Sequence, residues 1–105
     1  MSVSGKFLVI MLLATGCAPH DPRADAVSQS AGDPSRGQQL YRTSCEQCHI
    51  PAHEQNLAQA VAWFGPVGTI SIIIDGVPGS KMPSFRTFTD LQVADLYAYM
   101  RTLKK

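Results

Sequence analysis

Cys45, Cys48 and His49, in the stretch CEQCH, place two thiols and an imidazole within five residues. Three chemistries use such a set. With His53 added there are four possible zinc ligands, but structural zinc sites join two ligand pairs a dozen or more residues apart, and four donors packed into one short stretch would cross-link almost nothing. Thiol–disulfide exchange needs its cysteine pair at the start of a helix that follows a strand, where the helix dipole lowers the first thiol's pKa. Here the pair follows a predicted helix. Covalent haem attachment fits the spacing best: two thiols on one turn add to the two vinyl groups, and the adjoining imidazole is held over the iron.

If His49 binds one face of the iron, the other face needs a second ligand. Met100 falls on the apolar stripe of the last predicted helix and reads as core packing. Met82 lies in SKMPSF, where Pro83 interrupts helix formation and holds an extended loop. A loop methionine beside a haem-attachment motif reads as the axial ligand. His20 and His53 are the imidazole alternatives, the first far from the motif and the second only four residues beyond His49. Neither should reach the far face.

The elements that must position these groups are helices. Asp33 as N-cap and Pro34 at the first helical position predict a helix to about Cys45. A second runs from Leu57 to Phe64, capped by Asn56 and stopped by Gly65-Pro66. TISIIID, bounded by Gly68 and Gly76, reads as a short buried helix, although its isoleucines also suit a strand. TDLQ, Thr89–Gln92, is a capping box, and Val93, Leu96, Tyr97, Met100 and Leu103 follow at helical spacing. About 70 residues make a marginal core on their own, so a large apolar cofactor would supply what the chain lacks.

The 105-residue chain opens with Lys6 and the apolar run FLVIMLLA, too short for a permanent span and suited to an export signal. The following ATGC resembles the lipobox of bacterial lipoproteins. That resemblance implies cleavage after residue 16 and acylation of Cys17, with several acyl chains giving a stable anchor. Ala14 stands where leucine is usual. The absence of aspartate after Cys17 resembles lipoproteins sorted to the outer rather than the inner membrane. Loss of Lys6 reduces nine basic side chains to the number of acidic ones, 8, which leaves no electrostatic footprint for nucleic acid. Residues 17–33, rich in proline and small polar residues, read as a flexible tether, with residues 34–105 as the folded domain.

The folded part resembles the class I c-type cytochromes, through GQQLY leading into CEQCH, DGVPGSKMPSF, and DLYAYMRTL. The resemblance implies an all-α fold, a small helical domain wrapped around one covalently bound haem c. Gly37 and Tyr41 of the first helix would cross Leu96 and Tyr99 of the last, the glycine letting the backbones approach. It implies electron transfer rather than enzymatic catalysis, with Cys45 and Cys48 binding the cofactor, His49 and Met82 ligating the iron, and redox proteins as donor and acceptor. The domain would work on the periplasmic side, joined to the membrane by its lipid. Neither Pro51 nor Pro66 matches the family's GPxL segment, so the group that orients His49 is unassigned. Trp63 is expected to pack on the haem rather than lie near a propionate, and Lys81 and Arg86 to steer an acidic partner. Two other functions fit the same motif: an open sixth site that reacts with gas or peroxide, and a haem-bearing subunit of a larger dehydrogenase or oxidase.

Overall fold

A computed structural model describes residues 19–50 and 53–104; the signal-type run, Cys17 and Pro51 lie outside the described residues. These hold four helices, α1 (Pro22–Val27), α2 (Pro34–Ser44), α3 (Glu54–Asp75) and α4 (Asp90–Met100), and no strand. The fold is all-α, as expected.

The centre of the fold is the crossing of α2 and α4, the most extensive pairing of elements. Asp33 accepts from the Ser35 N–H and Pro34 opens α2. Thr89 and Gln92 form both arms of the capping box that starts α4. A Cβ on Gly37 would lie 1.8 Å from the Asp95 carbonyl oxygen and 2.9 Å from Tyr99 Cβ, so only glycine permits this approach. One turn further along, the Tyr41 and Tyr99 rings pack with centroids 5.2 Å apart. Asp95, almost fully buried, clips the crossing by accepting from the Asp33 N–H at 2.7 Å and from Arg36 Nε at 2.8 Å. The Arg36 guanidinium, followed by the Asp33 N–H, holds its carboxyl below the usual carboxylate range despite burial.

α3 begins earlier than the sequence pattern indicates, at Glu54, so Asn56 lies inside the helix and His53 takes the cap position without a side-chain cap bond. The expected stop at Gly65-Pro66 is a kink. Gly65 takes φ 72° and ψ −175°. Proline keeps its predecessor out of the helical region, and glycine can enter the positive-φ region that this sharp turn needs. The helix resumes at Pro66, and TISIIID is helical, with Ile70, Ile73 and Ile74 buried. By length and composition α3 could cross a bilayer, but eight of its 22 residues are buried in this fold.

The reading of residues 17–33 as a tether needs correction. Asp21 caps α1 by accepting from the Arg23 N–H, and Ala24 and Val27 are buried against α3 and α4. The Asp21 N–H donates to Ser71 Oγ at 2.8 Å within the core. Burial of these two side chains, rather than helix propensity, holds so short a helix. Among the described residues, the packed body begins at Asp21. His20 bonds Asp25 at 2.8 Å instead of standing alone.

Candidate functional site

The C-terminus of α2 runs directly into the CEQCH turn. The Tyr41 carbonyl accepts from the N–H groups of Cys45 and Glu46, and the Cys45 carbonyl accepts from Cys48 at 3.1 Å and His49 at 2.8 Å. These bonds wind both cysteines and the histidine onto one turn. The Tyr41 hydroxyl closes it by donating to the His49 carbonyl at 3.0 Å, and burial pushes that phenol up to about 12. Tyr41, read from sequence only as a helix-crossing aromatic, therefore also braces the motif.

Cys45 is buried and Cys48 exposed, both as free thiols. Burial, with Cys48 adding a smaller effect, pushes the Cys45 thiol up to about 11. Cys45 therefore lacks the lowered pKa of a nucleophilic redox thiol. Among the described residues no three His, Cys, Asp or Glu side chains gather to hold a metal, so the zinc reading has no donor set.

The loop 76–88 delivers Met82. Gly76 takes φ 70°, and a Cβ there would lie 2.8 Å from the Met82 carbonyl oxygen. The Val77 N–H donates to that same carbonyl and the Met82 N–H donates to Ser80 Oγ at 3.1 Å. The chain then returns onto the end of α3, where the Phe85 N–H meets the Ile73 carbonyl at 3.0 Å and Ser84 Oγ donates to the Ile74 carbonyl at 2.6 Å.

Between these parts lies a cavity of about 860 Å³, counting the space in its open mouth. Cys45 and His49 reach it from the turn, and Met82 and Phe85 from the loop. Leu57, Val61 and Phe64 come from the first half of α3 and Ile72 and Ile73 from the second; Leu96 and Met100 come from α4. An apolar, concave lining with few polar groups is the usual form of a cofactor site. The hydroxyls that border the cavity are already committed, Tyr41 to the His49 carbonyl and Thr69 to the Val61 carbonyl. Besides the apolar wall, the lining residues include a cysteine, a histidine and two methionines. That donor set fits an iron porphyrin, whose ring is apolar and whose iron takes nitrogen and thioether ligands.

Three expectations change. Trp63 is 85% exposed and does not line the cavity, so Phe64 and Phe85 provide its aromatic wall. Met100 belongs to the core, as its helical spacing implies, yet it also borders the cavity. Arg86 is no free steering charge: its guanidinium bonds Asp21 Oδ2 at 2.9 Å and also pairs with Asp75. Lys81 is exposed and makes no ion pair among the described residues.

Comparison with curated proteins and with solved structures gave no significant match. Comparison with family models gave one, described as cytochrome C oxidase, cbb3-type, subunit III, over residues 32–100. That span runs from the entry to α2 to the last residue of α4 and takes in every wall of the cavity. With an all-helical fold, a Cys-x-x-Cys-His turn and an apolar cavity beside it, the chain belongs to this family of haem c-binding, electron-transferring cytochromes.

Proposed function

We propose that the protein is an exported, lipid-anchored monohaem cytochrome that passes single electrons between redox proteins at the periplasmic side of a bacterial membrane. The observation that carries this reading is the convergence of Cys45, His49 and Met82, 37 positions apart in sequence, on one apolar cavity. Bound haem c supplies a one-electron Fe(III)/Fe(II) couple. Cys45 and Cys48 would hold it, each S–H adding across a vinyl group to form a carbon–sulfur bond, which needs thiols and not a disulfide. His49 and Met82 would hold the iron, and the soft thioether of Met82 would favour the reduced state. The wall from α3 and α4 excludes water, and the bonds that brace the turn and the loop keep both ligands in place through each electron transfer. Cys17 carries the lipid anchor.

The test is the optical spectrum and intact mass of protein matured with haem-attachment machinery. One haem retained under denaturing conditions, with a weak far-red sulfur-to-iron band in the oxidised form, is expected. The band should vanish in Met82→Ala and persist in Met100→Leu. Covalent haem without the band would refute Met82 ligation and favour an open site; no covalent haem would refute the attachment role of CEQCH. A second reading, as one subunit of an oxidase complex, draws on the description of the matching family. Purification from mild detergent as part of a larger haem-containing assembly would support it.

A further inference from the structure

The N-terminal residues from Asp21 onward do more than complete the core. Arg23 spreads its guanidinium over three acceptors on the chain that leaves the Met82 loop: Nη1 to the Arg86 carbonyl at 3.1 Å, Nη2 to the Phe88 carbonyl at 2.5 Å, and Nε to Asp90 Oδ1 at 2.5 Å. Asp21 reaches the same stretch from the other direction through the Arg86 side chain, which also pairs with Asp75 at the start of the loop. The two ends of the loop are therefore tied together and to the N-terminal segment by one cluster of charged groups. That segment is itself anchored, through the Asp21 N–H on Ser71 and the buried Ala24 and Val27. Charge-assisted bonds with a planar, forked donor are the strong kind, and lysine could not make the same three contacts at once.

We propose that Asp21 and Arg23 are positioning residues for Met82: the N-terminal segment is a strap that holds the loop 76–88 in the shape that brings the methionine to the cavity. Neither residue touches the cavity, so they act only through the loop. The proposal rests on the reading of Met82 as the sixth ligand. It makes the integrity of the chain's N-terminal end a condition for stable axial ligation.

The experiment uses the matured full chain with Arg23→Ala, Arg23→Lys and Asp21→Asn, beside Arg36→Gln, which breaks a comparable ion pair at the distant α2–α4 crossing. Amide hydrogen exchange over residues 77–88 and the far-red band are followed during heating, with helix content recorded in parallel. Loss of the strap should speed loop exchange at least about tenfold, the ratio that one net charge-assisted hydrogen bond gives. The band should then disappear well below the temperature of helix loss. Arg23→Lys should lie between wild type and Arg23→Ala, while Arg36→Gln should lower band and helix midpoints together. Loop exchange and band that survive all three strap substitutions would overturn the proposal, as would a band that always falls with the helices. A wild type with no band at all would instead refute Met82 ligation, and loop exchange alone would then decide whether the strap holds the loop.

Discussion

Replacing Gly37 by alanine sets two effects of opposite sign against each other. Alanine is the better helix former by up to about 1 kcal/mol, so propensity alone predicts a more stable α2. The crossing predicts the reverse. The new methyl would stand 1.8 Å from the Asp95 carbonyl oxygen, where real Cβ atoms keep at least 3.0 Å, and the obstacle is backbone rather than a flexible side-chain end. α2 and α4 must part by more than about an ångström, which loosens the Tyr41–Tyr99 contact and the Asp95 clip together; overpacking of this kind costs about 3 kcal/mol at the upper end of its usual range. The net loss, about 2 kcal/mol, corresponds to a fall in Tm of about 10 °C for a domain of this size. Thermal unfolding of the matured protein, followed by far-ultraviolet circular dichroism, measures it. A Tm equal to or above wild type would refute the close-approach argument and leave propensity as the winner.

Three further outcomes are expected. Thr89→Ala removes the capping-box acceptor of α4 and should cost about 1 kcal/mol in chemical denaturation; a difference near zero would mean that α4 is held by packing alone. Gly76→Ala adds both a strained positive φ and a Cβ against the Met82 carbonyl, so it should weaken the far-red band more than it lowers Tm, whereas proportional losses would show that the loop has no separate role. The carboxyl of Asp95 is held low by Arg36, and that of Asp21, which burial pushes up, is held low by Arg23 and Arg86. A depressed folded pKa gives stability that is full above the unfolded value of about 4 and is lost as pH falls through the folded one. Tm should therefore drop in acid below about pH 4, and less steeply in Asp95→Asn; parallel slopes would assign the acid sensitivity to other groups.

Much of this was legible from local signals that carry their own mechanism. Asp33-Pro34 and Thr89–Gln92 specify helix starts through capping chemistry that needs no tertiary context, and both appear where expected. Cys45, Cys48 and His49 are bound to one turn by spacing alone. Met82 could be singled out because Pro83 bars it from a helix, and the structure brings it to the cavity. The helix α1 was missed although Asp21-Pro22 repeats the Asp33-Pro34 signal, because six residues with two buried small apolar side chains show no period and depend on partners far along the chain. The exposure of Trp63 and the engagement of Arg86 were likewise invisible. Both depend on what the fold sets beside a side chain, and no sequence window contains Asp21, Asp75 and Arg86 together.

With Cys17 acylated, the packing of Asp21 against the core would limit how far the domain can stand from the bilayer. Asp21 is pinned to Ser71, and three residues, Ala18, Pro19 and His20, separate it from Cys17. At 3.8 Å for each Cα step, the Cα of Cys17 can lie at most about 15 Å from that of Asp21. With a lipid there, so short a connection would leave little freedom to swing outward and search the surrounding compartment. Under the lipid-anchored reading, donor and acceptor are met by sideways diffusion along the bilayer, and a soluble carrier must come down to the lipid headgroups to exchange an electron.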